Sequence, residues 1–483
     1  MTCHTTIVMP VWKAVIVPRI GRSETGYIPQ FGEIWITRRL NVSIGEIESR
    51  RHASTAPAAP STRRAWLVTG LLFVFMLINF ADKAVMGLAA KPMSETFGLD
   101  SAEYGHVASS FFLLFSISAV VIGVLANRVP TRWLLVGLAV VWSLSQAPMI
   151  WTTSIGVLFA SRIVLGAAEG PAFGLANHSL HKWFVDSRRQ LPSSVLALGS
   201  SVGTLLAAPA LTWVIVHHGW REAFAAVAIL GLVWCAAWVL LVRSEGPYGA
   251  ESAPTQAAPA ANAAIEDHTS YWRIFLSGTS IGSLALGFAA YFGLAISVAW
   301  LPRFLQESRG FSMTGAGNAT AVFWAVAGLF ILGTGILSQR LTLAGITTTW
   351  SRGMLSAALV FGGGLCTLAG VMVHSPIGSL ILLMIGLGAP TSVFAITQTL
   401  AGEIAPVRQR GAVLGVGVGI STLAGVIAPT VMGNLLDSAS DTVAGYNNGF
   451  TVVAMVCVAA AMVGAALIRP GRDATRLRTI SSS

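Results

Sequence analysis

The stretch from residue 155 to residue 181 reads IGVLFASRIVLGAAEGPAFGLANHSLH, an apolar run that contains two opposite charges, Arg162 and Glu169. As a helix, a run of this length crosses about 30 Å of hydrocarbon. The two charges are about two helical turns apart, so they share one face and lie roughly 10 Å apart along the axis. Charges at membrane depth are costly and usually face a partner or a cavity on an ion or substrate path. The stretch therefore predicts a membrane helix that helps to move a charged species.

The rest of the chain repeats this apolar pattern. Of its 483 residues, 54% are hydrophobic and 10% are charged, whereas a soluble domain has about a quarter of its residues charged. We count twelve apolar runs, which an Ala- and Pro-rich linker divides into two groups of six. The predicted fold class is an all-α membrane protein with twelve transmembrane helices in two six-helix halves. Its predicted segments are 1–65 (a disordered cytoplasmic tail or an over-extended start), 66–243 (first bundle), 244–273 (cytoplasmic linker), 274–469 (second bundle) and 470–483 (cytoplasmic tail).

The net charge of +10 follows membrane topology and does not indicate a nucleic-acid partner. Basic residues are frequent in the loops on the side of the two termini and sparse in the loops on the other side. The first group includes Arg128, Arg132, Lys182, Arg188, Arg189, Arg340, Arg408 and Arg410, and the second is Lys91, Arg221, Arg303 and Arg309. This bias places both termini in the cytoplasm. We expect a multi-pass protein of the cell membrane, specifically a bacterial inner membrane.

The sequence gives no sign of a cofactor or of catalytic chemistry. The four cysteines are scattered and none has the spacing of a metal site or a disulfide framework. No nucleophile–base arrangement stands out. We expect no metal, no cofactor and no enzymatic activity.

A second charged pair, Asp82–Lys83, lies inside the first apolar run. Counting residues from the helix ends places it at about the level of Arg162, with Glu169 deeper. A structural alternative is a static ion pair, Arg162–Glu169 or Asp82–Arg162, that joins helices.

The two halves carry similar segments, which indicates an internal repeat of the kind found in transporters. Gly123-Val-Leu-Ala-Asn-Arg128 ends the second run, and Gly335-Ile-Leu-Ser-Gln-Arg340 ends the eighth. The fifth run carries Gly199 and Gly203 and the eleventh carries Gly415 and Gly419, and we expect these glycines to pack closely against neighbouring helices. The first segment, extended to Trp133, is similar to the signature loop of the major facilitator superfamily, which the chain resembles from about residue 66 to residue 470. The resemblance implies a gating loop formed by Gly123, Asn127, Arg128 and Arg132. Asn127 stands where an Asp is usual, so a weaker inner latch is expected.

A narrower resemblance is to the anion:cation symporter family, whose members take up organic anions together with protons. The residues that carry it are Asn79-Phe-Ala-Asp-Lys83, Arg162 with Gly166-Ala-Ala-Glu169-Gly-Pro171, Trp183-Phe184, Gly219-Trp-Arg221 and Trp300-Leu-Pro302. The resemblance implies that Asp82 and Glu169 carry protons and that Lys83 and Arg162 bind the substrate. It also implies a monomer in the lipid bilayer, with protons and a small organic anion as its partners.

Departures from that family suggest the substrate class. Lys83 replaces the usual Arg, which grips a carboxylate with two donors instead of one point charge. Phe80 and Phe115 stand where Tyr is frequent, and Thr422 stands where Asn is common. Donors for sugar hydroxyls are therefore missing, so the predicted substrate is an aromatic or short-chain carboxylate. Further substrate-binding candidates are Tyr291, Gln398 and Thr422.

The predicted function is import of an organic anion by proton symport through alternating access. An anion exchanger or an efflux carrier of the same fold is the main alternative, because these residues do not encode the direction of transport. A membrane sensor that has lost transport is a further alternative.

Overall fold

The computed structural model describes residues 62–126, 128–185, 188–248, 269–406 and 409–481, and within these ranges the secondary structure is helical with no strand. Among the described residues, twelve helices are long and apolar enough to cross a membrane, so the predicted count is confirmed. Numbered in chain order as spans 1 to 12, they are Arg63–Leu88, Ser101–Leu125, Thr131–Ile150, Ile155–His181, Leu191–His218, Trp220–Leu241, Gly278–Ala299, Met313–Leu343, Thr349–Met372, Pro376–Ile404, Arg410–Asp437 and Thr442–Leu467.

Several spans are interrupted, and short helices lie between some of them. Span 4 breaks between Glu169 and Ala172, because Pro171 has no backbone N–H to continue the helical ladder. Span 2 consists of Ser101–Ser110 and Phe115–Leu125, span 3 ends in the 3-10 turn Ala147–Ile150, span 9 begins with the π-helical turn Thr349–Met354, and span 10 consists of Pro376–Thr391 and Val393–Ile404. The shorter helices are Ala90–Phe97, Tyr271–Phe275, Leu301–Glu307 and Pro470–Ser481.

The spans pack into two groups that follow the chain order. In the first, span 1 packs on spans 5 and 6, and span 3 packs on spans 4 and 6; in the second, span 7 packs on spans 11 and 12, and span 9 on spans 10 and 12. Glycines of span 5 permit its close approach to span 1. A Cβ on Gly203 would lie 2.8 Å from the Leu77 carbonyl oxygen, and one on Gly199 would lie 2.8 Å from the Met76 Cβ. The packing role expected for these two glycines is thus confirmed.

The two halves are closed against each other at one end of the bundle. We call the end where span 1 begins and span 12 ends the terminal face, and the opposite end the distal face. At the distal face the Tyr104 hydroxyl donates to the Ala299 carbonyl oxygen at 2.8 Å, and the Ser109 and Thr430 hydroxyl oxygens lie 2.8 Å apart. The Asp437 carboxylate accepts hydrogen bonds from two backbone N–H groups at the start of span 2. Direct contacts therefore seal this end.

Toward the terminal face the halves separate. The described hydrogen bonds between them run from the distal face as far as the Ser116 hydroxyl, which bonds to the Thr422 hydroxyl. Beyond it, a Cβ on Gly415 would meet no atom within 4 Å, and one on Gly419 would meet only the Ser116 Cβ at 3.9 Å. The packing role that the sequence favoured for Gly415 and Gly419 is wrong in this conformation, because the cleft is open at their level.

The second half is tied to the helix that follows it. Helix Pro470–Ser481 occupies most of the predicted tail. Its Asp473 carboxylate accepts hydrogen bonds from the backbone N–H and the hydroxyl of Thr279, in the first turn of span 7. The predicted tail 1–65, apart from its last four residues, and most of the predicted linker lie outside the described residues.

Candidate functional site

The four charges singled out in the sequence come together where spans 1 and 4 meet. Asp82 is 0% exposed, Glu169 2% and Arg162 3%, while the Lys83 side chain is 13% exposed. The helices that carry these groups lie inside the candidate spans. The cluster thus holds two acids and two bases at membrane depth, where ions are functional as a rule.

Lys83 of span 1 forms an ion pair with Glu169 of span 4. The Lys83 ammonium also donates to the Asn79 side-chain carbonyl oxygen at 2.6 Å, one helical turn earlier in span 1. The static pairs considered from the sequence, Arg162–Glu169 and Asp82–Arg162, are not the ones that form. Two turns of one helix keep Arg162 too far from Glu169, and Lys83 reaches that carboxylate from the neighbouring span.

Asp82 faces span 3 and accepts a hydrogen bond from the Gln146 side-chain amide. In the described part of the chain, five buried polar atoms of this cluster have no partner. They are Asn79 Nδ2, Asp82 Oδ2, Gln146 Oε1, Arg162 Nε and Glu169 Oε1. Buried polar groups are rarely left unsatisfied. A concentration of five around two acids and two bases indicates a site that receives protons, water or a polar ligand.

Arg162 differs from Lys83 because its guanidinium has no carboxylate in ion-pair contact among the described residues, although both cations have an aromatic neighbour. It lies over the Phe111 ring at 5.5 Å, and the Lys83 ammonium lies 5.7 Å from the same ring. A cation over a ring face is stabilised by about 0.5–2 kcal/mol, which is far less than a buried charge needs. Arg162 is therefore available to bind an anion.

Small residues explain how closely spans 2 and 4 approach beside the charge cluster. A Cβ on Gly166 would overlap the Phe111 carbonyl oxygen, and one on Gly170 would overlap the Phe115 carbonyl oxygen. Both glycines belong to the Gly166–Pro171 motif noted in the sequence. The motif thus positions its own acid by letting two backbones touch.

A small cavity lies beside Lys83, between the halves. Its wall includes Phe80 and Lys83 of span 1, Thr204 of span 5, and Thr320 and Trp324 of span 8. The Phe80 ring lies 4.8 Å from the Lys83 ammonium and packs edge-to-face on Trp324. A cation beside two aromatic rings is suited to a carboxylate with an apolar body.

The other predicted substrate-binding residues lie in the second half, at different places. Tyr291 packs edge-to-face on Phe112 across the interface between the halves and lies within electrostatic range of Glu169. Thr422 contacts Ser116 and so joins the halves. Gln398 lines a separate small cavity together with Ser280, Ser283, Thr397 and Ser421, among others. Tyr291 is thus near the charge cluster, whereas Gln398 belongs to a neutral polar cavity.

The predicted gating loop is held by an acid that the sequence reasoning missed. Glu245, after span 6, accepts hydrogen bonds from the Thr131 hydroxyl at 2.7 Å and from the Arg132 backbone N–H at 2.8 Å, and it pairs with Lys182 at 2.7 Å. Burial raises the pKa of the Glu245 carboxyl, but the hydrogen bonds from Lys182, Thr131 and the Arg132 N–H outweigh burial and lower that pKa below its usual value. Three acceptor contacts from a residue remote in sequence fix the start of span 3.

Two other residues of the predicted gating loop lie at the surface. Gly123 and Arg128 are exposed at the end of span 2, and Asn127 lies outside the described residues.

Asn79, Gln146 and Glu245 are the functional candidates that sequence reasoning did not select. For Gln146 the available signal was an amide inside an apolar run, whereas nothing in the sequence pairs Glu245 with Thr131.

Comparisons with known proteins agree on the family. The sequence profile described as "Major Facilitator Superfamily" matches residues 71–429. The "D-galactonate transporter" of Escherichia coli O6:H1 is 24% identical over 432 residues, covering 84% of this chain and 95% of that protein. The "Hexuronate transporter" of Bacillus subtilis is 23% identical over 418 residues, covering 83% and 94%. The crystal structure of a bacterial homolog of the human lysosomal transporter Spinster, in an inward-facing and unoccupied conformation, aligns with a TM-score of 0.69 at 19% identity, over 87% of this chain and 99% of that chain.

Proposed function

The chain belongs to the Major Facilitator Superfamily, a group of membrane transporters and not of enzymes, and we propose that it imports an organic carboxylate by proton symport. The observation that carries the proposal is the buried cluster of Asp82, Lys83, Arg162 and Glu169 beside a cavity between the halves. Relatives named for D-galactonate and hexuronate support an organic anion as the substrate.

The ion pair and the unpartnered atoms support an exchange of partners during transport. A substrate carboxylate that enters the cavity competes with Glu169 for the Lys83 ammonium and meets the free face of Arg162. The displaced Glu169 carboxylate is then costly in a site of low dielectric constant, so it takes up a proton. Substrate and proton are in this way bound together, and the neutralised site passes between the halves at lower electrostatic cost.

The closed distal face supports alternating access. Tyr104, Ser109 and Asp437 hold the halves together at that end, while the cleft opens toward the terminal face. The bias of basic loop residues supports a cytoplasmic terminal face. The structure then corresponds to the state in which the site communicates with the cytoplasm.

The aromatic rings around Lys83 support an aromatic or otherwise apolar carboxylate as the substrate. Phe80, Phe111 and Phe115 all lie within 6 Å of the Lys83 ammonium. The neutral cavity around Gln398 favours the second candidate class, a sugar acid, because its hydroxyl and amide groups suit a hydroxylated ligand.

Uptake into proteoliposomes tests the proposal. Labelled hydroxybenzoate and labelled D-galactonate are offered with and without an inward proton gradient. Gradient-driven accumulation of hydroxybenzoate supports both the mechanism and the substrate class, and accumulation of D-galactonate alone corrects the class. Flux that ignores the gradient but responds to a second anion on the opposite side would establish exchange in place of symport.

A further inference from the structure

Gln146 is the last residue of the regular helix Thr131–Gln146 in span 3, and its side chain is 1% exposed. The chain continues from it as a tight 3-10 turn that contains Pro148. Its Nε2 donates a hydrogen bond to Asp82 Oδ1, which joins span 3 to span 1.

Each member of the contact keeps one buried atom without a partner in the described part of the chain. These atoms are Asp82 Oδ2 and Gln146 Oε1. An ionised carboxylate only accepts hydrogen bonds, whereas a protonated one also donates through its O–H. A glutamine amide has a donor end and an acceptor end. A rotation of the Gln146 side-chain amide by 180° therefore replaces its N–H donor with its carbonyl oxygen at the position that Asp82 faces.

We propose that Gln146 is the positioning residue for the proton on Asp82, donating to the carboxylate and accepting from the acid once a proton has bound. The inference rests on the proposed function, since it assigns a partner to one of the two proton-carrying acids. No covalent bond changes apart from the O–H that forms on the Asp82 carboxyl. The charged groups that act on Asp82 from the surrounding spans are Glu169, Lys83 and Arg162, and they are unaltered by a change at Gln146.

The two hydrogen bonds differ in strength, and this difference predicts the direction in which the midpoint of Asp82 protonation moves. A hydrogen bond to a charged group is worth about twice one between neutral groups. Removing the amide therefore destabilises the ionised form of Asp82 more than its protonated form. We expect the midpoint of Asp82 protonation to move to higher pH. The proton concentration needed for half-protonation should fall about tenfold.

The test is an infrared titration of the purified full-length protein in lipid nanodiscs, with the proton as the only ligand. The carboxylic-acid carbonyl band that disappears in Asp82→Asn belongs to Asp82. In Gln146→Met, which keeps the length of the side chain, that band should appear at higher pH and at a shifted frequency. Ser143→Ala is the matched control, because it removes another buried, unpartnered polar group of span 3 that lies against Gly231 of span 6.

A purely structural tie between spans 1 and 3 predicts a different outcome. Gln146→Met would then lower the melting temperature and leave the Asp82 midpoint where Ser143→Ala leaves it, which would overturn the inference. If Gln146→Met does not fold, Gln146→Glu serves instead, and a second carboxyl sharing the Asp82 proton should also move the midpoint to higher pH. An unmoved band in that variant would count against the role equally.

A separate measurement, of transport, tests the proposed function. In proteoliposomes the pH profile of hydroxybenzoate uptake should shift in Gln146→Met, with KM at low pH within about twofold of the unsubstituted protein. Normal proton coupling together with an unmoved infrared midpoint would refute the role of Gln146 and leave the proposed function intact. Absence of proton coupling in the unsubstituted protein would refute the proposed function and the inference with it.

Discussion

Lys83 on span 1 and Glu169 on span 4 form an ion pair within the membrane-spanning part of the bundle, and one oxygen of Glu169 has no partner among the described residues. In the proposed mechanism a substrate anion replaces Glu169 at the Lys83 ammonium, and a proton replaces Lys83 at the Glu169 carboxylate.

Arg162→Met should keep or raise the melting temperature and should abolish substrate-induced stabilisation. An unpaired buried ion costs several kcal/mol, and Asp82 can take a proton to keep the cluster neutral. The measurement is thermal unfolding in detergent with and without hydroxybenzoate. Lys182→Met is the control, since Lys182 is a buried cation with a partner and its loss leaves Glu245 unpaired. Equal destabilisation by both substitutions would mean that Arg162 is a structural ion.

Gly166→Ala should destabilise the protein by about 1–3 kcal/mol, because the added methyl group overlaps the Phe111 backbone and forces spans 2 and 4 apart. Gly174→Ala, two turns later in span 4, meets no atom within 4 Å. It should be neutral or stabilising by up to about 1 kcal/mol. Thermal unfolding of the two variants compares the positions directly, and similar melting temperatures would contradict the close approach.

The Glu245 contacts should make part of the stability depend on pH. The pKa of Glu245 is lower in the folded protein than in the unfolded chain, so its contribution is present above the unfolded pKa of about 4.3 and is lost as pH falls through the folded pKa. The melting temperature should therefore fall more steeply between pH 6 and about pH 3 in the unsubstituted protein than in Glu245→Gln. Parallel curves would show that Glu245 makes no net contribution.

Closure at the distal face should be reversible during transport. Ser109→Cys with Thr430→Cys, in a protein without its natural cysteines, places two thiols where the hydroxyl oxygens lie 2.8 Å apart. Oxidation should stop uptake of hydroxybenzoate and reduction should restore it, because the site then cannot reach the distal side. The single variants are the controls. Full transport by the oxidised double variant would contradict alternation at this interface.

Sequence alone gave the architecture, because twelve apolar runs and the bias of basic loops are direct consequences of crossing a bilayer. It also placed Asp82, Lys83, Arg162 and Glu169 in the membrane core. It could not give their pairing, since the choice between Lys83 and Arg162 for Glu169 depends on how close spans 1, 2 and 4 approach. That approach is set by Gly166 and Gly170 against backbone atoms of a different helix.

The remaining omissions have a similar physical origin. Glu245 and Thr131 are far apart in the chain and meet only after span 6 has packed on span 3. Gln146 carries no charge, so it did not stand out among apolar neighbours, although it contacts one of the two key acids. Gly415 and Gly419 resemble Gly199 and Gly203 in the sequence, but only the latter pair touches a neighbouring helix. A conformational state that opens one face cannot be read from a repeat.

Proton movement driven by the substrate tests the central claim most directly. Proteoliposomes that contain a pH-sensitive dye receive hydroxybenzoate, or D-galactonate if uptake favours it, on the outside only, and protein-free liposomes control for passive entry of the acid. The account predicts that the lumen acidifies with the unsubstituted protein and not with Glu169→Gln, in which exchange of internal for external substrate persists. Substrate accumulation without acidification, or undiminished acidification in Glu169→Gln, would contradict it.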